Sequence, residues 1–400
     1  MANPSRPAHN PFRIGGIVTG AYFTDRAAEL RRIMGVLREP QGKLLVTGPR
    51  RMGKTSTLAR AVERLSRDGD AALLADLSTA TTTVDLANRV LAAATASLGR
   101  RWKDVVAELV GRIQLEVTLN RDRVTGGTLP SLSLRYRTAP IDEQNATLGQ
   151  VLDAIDDLAG KRGVTIGVVL DEFQEIARVD GGEAAEGHLR GVMQRHQHLA
   201  YVLAGSRESL IREITGRGRA FYRMFERLPF GPIDGGHLKR WIDHRMLRAG
   251  VSAAGIGALI VRLARPRTQD IVHLARTCFS LAAPRRAACP ADVEEAFRRI
   301  VWEESDSIRS HWDRLPASQQ NVLRAVAAGE TMLHSRSVGE RFGLKSSAEV
   351  SQALDRLVEL DLLVKQGRRY SFDSPFVRGW AIVHALKDLG IDLPITEAAK

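Results

Sequence analysis

Two cysteines in 400 residues, Cys278 and Cys289, form no CxxC spacing and no even-numbered framework. Disulfide scaffolds and thiolate metal clusters are therefore excluded, and two small apolar side chains in a reducing compartment are expected. No apolar run approaches the roughly 18 residues of a membrane span. Residues 1–10 carry Pro4, Pro7 and polar side chains where a leader would have an apolar core. The expectation is a soluble, cytoplasmic protein with no membrane contact. Acidic residues are in the minority, 46 against 58 basic, for a formal charge of +12 and a pI near 10.2. Such a balance invites a nucleic-acid partner, yet the basic excess lies before residue 110 and between 181 and 314. The stretch 111–180 is net acidic and the C-terminal part nearly neutral. An Asn-Lys-x-Asp guanine reader is absent, as are internal repeats and long low-complexity segments.

What is present begins at residue 48. Gly48-Pro49-Arg50-Arg51-Met52-Gly53-Lys54-Thr55 is a complete GxxxxGK[ST] octet, with Ser56 following. Gly48 and Gly53 permit backbone angles and close approach that a Cβ would obstruct, so successive amides can turn inward around a polyphosphate. Lys54 supplies a point charge for the β and γ phosphates. Thr55 opens a helix whose N-terminus favours negative charge, and its hydroxyl is a Mg²⁺ ligand. Flanking context agrees, since Lys43–Thr47 reads as a buried strand and Thr55–Leu65 has Leu58, Val62 and Leu65 at helical spacing. An accidental Gly-rich turn is the bland alternative.

With 44% apolar residues the chain can bury two or three cores. Strand and helix alternate from 43 to about 229: strands at 71–77, 164–170, 201–204 and 227–230, and a helix at 83–98. This is the pattern of an α/β domain with a mostly parallel sheet. Alternating residues at 115–119 and 132–136, around a Gly-rich 121–130, read as an inserted surface hairpin. From Gly231 helices follow alone: 237–249, 253–264, 268–281 and 290–305. From about 315 the order becomes helix 316–328, helix 335–342, helix 347–360, then strands 362–365 and 369–372 around Gln366-Gly367-Arg368. The expected division is a tail (1–20), an α/β core (21–232) with a hairpin at 113–137, a helical lid (233–308), a winged helix (312–385) and a tail (386–400).

Val168–Glu172, an apolar strand ending in two carboxylates, supplies the second half of a hydrolytic site. At the carboxyl edge of the sheet, Asp171 would hold Mg²⁺ and Glu172 would polarise the attacking water. A helix-start pair is the alternative. Ser206, at the end of the next strand, is a candidate sensor of the γ phosphate or the water, or else the cap of a helix beginning at Glu208.

Together these segments resemble the archaeal-type ATPases of the STAND and AAA+-related P-loop group. The Asp171-Glu172-Phe173-Gln174 run matches that family's second nucleotide motif. Asn10-Pro11-Phe12, Tyr22-Phe23 and Arg26–Leu30 are similar to its N-terminal element, which borders the adenine. Gly205-Ser206, Ala220–Arg223 and Pro229–Ile233 resemble the stretch after its fourth strand. Asp373-Ser374-Pro375-Phe376 with Arg378 and Trp380 resembles its closing signature with one residue inserted. The resemblance implies a P-loop core, a helical lid and a C-terminal winged helix, with ATP and Mg²⁺ as ligands and Phe23 near the base. Asp25-Arg26 stands where the family usually has Gly-Arg. In the lid, Arg267 is a candidate second sensor, with Arg265 competing and a solvated side chain as the alternative. Arg207, Arg219 and Arg223 are equal candidates for an arginine finger.

The third helix of the winged segment carries Glu349, Asp355 and Glu359 against Arg356 alone, and its Val350, Leu354, Leu357 and Val358 read as a core stripe. Lys365, Arg368 and Arg369 make a basic wing. The expected function is an ATP-binding, ATP-hydrolysing switch that passes its ATP or ADP state to a protein partner through the winged helix or lid. A nucleotide-regulated DNA-binding protein is the alternative, and a non-hydrolysing scaffold is disfavoured by Glu172. Oligomerisation stays open.

Overall fold

Two blocks of chain each build their own core in the computed structural model: Arg26–Gly231, and Met1–Asp25 together with Pro232–Lys400. The structure describes residues 9–99, 102, 104, 109, 117–121, 130–134, 141–179, 182–206 and 215–387.

In the first block the strands are β1 (Lys43–Thr47), β2 (Ala71–Asp76), β3 (Val117–Arg121), β4 (Pro130–Leu134), β5 (Ile166–Asp171), β6 (Leu199–Gly205) and β7 (Glu226–Pro229). Five of them form one parallel sheet in the order β2-β5-β6-β1-β7. Central β5 and β6 are buried at every position, which their unbroken apolar sequences require when helices cover both faces. β7 is short and largely exposed and ends in Pro229, as suits an edge. β3 and β4 pair antiparallel as a separate hairpin, with Val117 opposite Leu134. The paired positions sit two residues inward of the expected ones, and the turn between them lies outside the described residues.

Helices α1 (Ala27–Arg38), α2 (Lys54–Asp68), α3 (Thr83–Leu98), α4 (Ile141–Arg162) and α5 (Gly182–Arg195) accompany this sheet. Gly69 ends α2 at φ +90°, and Thr82 caps α3 by accepting the Asp85 amide at 3.1 Å. The expectations from sequence do not include α1, α4 or α5. For α4 the signal was there, because buried Leu148, Val151, Leu152, Ile155, Leu158 and Ala159 keep helical spacing among its acidic residues.

The second block holds α6 (Gly235–Arg248), α7 (Ile256–Ala264), α8 (Thr268–Ala282), α9 (Pro290–Glu303) and α10 (Ser305–Trp312). A winged helix follows: α11 (Ala317–Ala327), α12 (Arg336–Phe342), α13 (Ser347–Glu359), β8 (Leu363–Gln366), β9 (Arg369–Phe372) and α14 (Pro375–Trp380). In α13, Val350, Ala353, Leu354 and Leu357 are buried and Val358 is half-buried, so the expected stripe faces the core. The helix expected at 290–305 ends at Glu303, and a second helix begins at Ser305.

The N-terminal stretch departs from the expected tail. Phe12 is 1% exposed and packs edge-on against Trp241 and Phe279, at centroid distances of 5.5 and 6.5 Å. Arg245 donates to Pro11 O at 2.7 Å and Arg276 to Phe12 O at 2.8 Å, while Asn10 Nδ2 donates to Arg276 O at 2.9 Å. An aromatic anchor with its flanking carbonyls satisfied is a fixed strap. Cys278 is buried, and burial pushes its thiol up to about 12, while Cys289 is exposed just ahead of α9. Phe12→Ala is expected to cost about 3–5 kcal/mol in the second block. Denaturant unfolding followed by tryptophan emission measures it.

Candidate nucleotide site

Because β1, β5 and β6 are parallel, their carboxyl ends share one edge, and β6 lies between the other two. Residues 48–53 leave β1 there, Asp171 ends β5, and Ser206 follows β6. Residues over a hundred positions apart in sequence, such as Thr55 and Asp171, thus become spatial neighbours. Thr55 Oγ1 donates to Asp171 Oδ2 at 2.6 Å, and Ser206 Oγ donates to Glu172 Oε2 at 2.8 Å. Arg50 Nε reaches Ser206 Oγ at 3.4 Å, which ties the loop to the same cluster.

Each glycine of the loop has its own reason. A Cβ on Gly48 would stand 2.3 Å from Phe230 O, so only glycine lets β1 continue past that carbonyl. Gly53 sits at φ +90°, a left-handed geometry that caps α2. Arg51 is also left-handed, at φ +63°, and exposed, whereas Met52 is 3% exposed and belongs to the core. Lys54 is 5% exposed, and its Nζ donates to the carbonyls of Gly48 and Pro49 at 2.7 Å each. The loop therefore curls around its own cation at the N-terminus of a 15-residue helix. Ser56, half-buried, lies in the first turn of that helix.

Asp171 is 1% exposed. Burial raises its carboxyl above the usual carboxylate range and the Glu172 charge adds to this, against the Thr55 hydrogen bond and the Lys54 charge that pull it down. Two hard oxygen donors, Thr55 Oγ1 and Asp171 Oδ2, converge at this buried point and fit the ligand preference of Mg²⁺.

Other expected residues fall elsewhere. Phe23 and Arg267 belong to the second block. Phe23 is half-buried and closes the short turn Gly20–Tyr22. Arg267, for which a solvated side chain was the alternative, is 3% exposed and ion-paired with Asp373. Among the finger candidates, Arg219 holds buried Glu186 with two contacts of 3.0 and 2.9 Å, Arg223 is exposed at φ +56°, and Arg207 lies outside the described residues. Residues from Glu208, where a helix start was the alternative for Ser206, also lie outside them.

Residues 23–226 match the family described as ATPase domain predominantly from Archaea, just over half of the chain. The protein belongs to this ATPase family. Residues 306–382 match a second description, a probable winged helix domain. No curated protein matches the chain. Among solved structures, a Walker-type ATPase of Pyrococcus abyssi is similar at TM-score 0.59 and 18% identity, covering 89% of this chain and 95% of that one. The Aeropyrum pernix ORC2 protein, solved as ADPNP–ADP complexes, gives 0.57 at 14% identity, over 94% of this chain and 92% of that one. At these identities the likeness speaks for the fold. Among the described residues no helix is long and apolar enough to cross a membrane.

One residue of this domain does more than its sequence suggested. Arg26, placed near the adenine by resemblance, is 4% exposed and sits at φ +67°. Its guanidinium donates to Met52 O at 3.1 Å, Gly231 O at 2.7 Å and Glu29 Oε1 at 2.8 Å, and lies 4.1 Å over the Phe230 ring. A planar cation with several donors can bind two backbone carbonyls and an aromatic face at once. It braces the phosphate loop against the segment after β7. Arg26→Ala should weaken ATP binding roughly ten- to a hundredfold, the value of a lost charge-assisted hydrogen bond or two. Lysine at this position should not restore it. Equilibrium titration with a fluorescent ATP analogue reads this, and unchanged affinity would refute the brace.

Proposed function

We propose that the protein binds ATP on residues 48–56 and hydrolyses it with Mg²⁺, and that its winged-helix domain carries the nucleotide state to a protein partner. The observation that supports this reading best is the convergence of Thr55, Asp171, Glu172 and Ser206 at one sheet edge. The backbone N–H groups of the loop, which Pro49 lacks, and the Lys54 ammonium bind the phosphates. Thr55 and Asp171 would hold Mg²⁺, which when bound would supply neutralisation of phosphate charge. Glu172 takes a proton from water as the water oxygen bonds to the γ phosphorus. The bond from that phosphorus to the β–γ bridging oxygen breaks, and ADP and phosphate leave. Ser206 orients Glu172.

On this reading Lys54→Ala abolishes ATP binding. Glu172→Gln keeps binding within about twofold and loses turnover by roughly 10²- to 10⁴-fold, the range of a general base. Phosphate release and nucleotide titration on the same preparations check both, and wild-type turnover in Glu172→Gln would remove that residue from the mechanism.

A second reading, nucleotide-regulated DNA binding, draws support from the wing, where Lys365, Arg368 and Arg369 are all exposed. Neutralising the three should weaken duplex binding and lower its salt slope by up to about 3. Absence of binding at low salt, with ATP or ADP present, dismisses this reading.

A further inference from the structure

Gln174 closes the Asp171-Glu172-Phe173-Gln174 run, and its chemistry is unused by the roles above. It is fully buried, at 0% exposure. Its Nε2 donates to Glu172 Oε2 and reaches Glu175 Oε1 at 3.5 Å. Ser206 Oγ donates to the same Glu172 oxygen at 2.8 Å. Two donors on one oxygen fix the plane of the carboxylate. The other oxygen, Oε1, has no hydrogen-bond partner among the described residues and stays free to accept a proton.

Two further facts indicate that the amide is there for Glu172. First, Gln174 Oε1 is buried without a hydrogen-bond partner, so the side chain bears a desolvation cost that an apolar one of similar size would avoid. What the amide gains in return is its donation to Glu172. Second, Glu172 sits at φ +53°, a left-handed backbone that L residues seldom adopt outside sites where the surroundings hold it. The flanking anchors are Phe173, edge-on to Phe221 at 5.4 Å, and Gln174 itself. Glutamate at 174 would crowd a third carboxylate against Glu172 and Glu175, and an apolar residue would leave Glu172 with the Ser206 donor alone.

The geometry points to Gln174 as a positioning residue for hydrolysis: with Ser206 it holds Glu172 Oε2, so that Oε1 faces the attacking water. This rests on Glu172 acting as the base. It goes beyond that assignment by naming what orients the base.

The test uses the full chain with ATP and Mg²⁺. In Gln174→Met, which keeps the volume and removes the donor, kcat should fall roughly ten- to a hundredfold, as when an outer-shell partner is lost. The dissociation constant for a fluorescent ATP analogue should stay within about twofold. Ser206→Ala should behave alike, and the double variant should lose less than the product of the two, because both donors serve one oxygen. Gln174→Asn, smaller and free of overlap, is the second variant; its shorter arm withdraws the donor and should give the same loss of kcat with affinity kept. Wild-type or faster turnover in folded Gln174→Met or Gln174→Asn overturns the inference, as does a loss that only tracks weakened ATP binding. Wild-type turnover in Glu172→Gln overturns both the base and its positioning, whereas slow Glu172→Gln beside fast Gln174→Met overturns the positioning alone.

Discussion

The hydrogen bond from Thr55 to Asp171, 2.6 Å long, is the contact on which the site depends. It joins the start of α2, which follows β1, to the end of β5, although β6 separates β1 from β5 in the sheet. The strand order makes the contact achievable. After β1 the chain passes to the far edge at β2 and returns through β5 and β6. Parallel strands then put every functional terminus on one edge. Had the second strand taken the place of β6 beside β1, Ser206 could not stand between the loop and the carboxylates.

Around this contact the protein places buried charge where it is costly, and offsets that cost locally. Lys54 and Asp171 are each nearly inaccessible to solvent, at 5% and 1% exposure. Lys54 donates to two loop carbonyls, and Asp171 accepts from Thr55 and from the Glu172 amide at 3.0 Å. Arg26 is a further buried charge, and it connects the loop to Phe230 and Gly231. Since Gly48 also packs against Phe230 O, one short segment after β7 limits the loop from two directions. The loop is thereby held in shape by contacts that involve no ligand, which lowers the ordering cost of binding one.

The second block solves a different problem, that of joining a winged helix to a helical domain. Its closing signature packs back on both. Phe376 meets Phe297 of α9 at 5.3 Å, Trp380 Nε1 donates to Ser305 Oγ at 2.9 Å, and Arg378 reaches Ala327 O at 3.3 Å. A Cβ on Gly379 would stand 2.7 Å from the Phe297 ring, so α14 lies close against α9. Arg267, buried at the start of α8, pairs with Asp373. Such a pair is weak evidence for stability, because the cost of desolvating the charges offsets their attraction. The helical region and the wing thus share one continuous core.

Much of this was legible in residue order. The octet at 48–55, the apolar strand ending in Asp171-Glu172 and the helix-helix-helix-wing order from 317 all use local patterns, and local patterns are what spacing and periodicity report. Helices α4 and α5 escaped because charged residues dilute their stripes. Arg26, Gln174 and Phe12 stood in recognised motifs, but their contacts escaped for another reason: their meaning lies in partners that are distant in sequence or set by a turn's geometry. By itself the sequence determined which chemistry-bearing residues are available, a glycine-rich loop with its lysine, a threonine hydroxyl and a strand ending in two carboxylates, because each is written in residue types at fixed spacing. Only the tertiary structure decided which of these meet, which arginine braces the loop and which is buried in an ion pair, because strand order and packing fix distances that no spacing along the chain encodes.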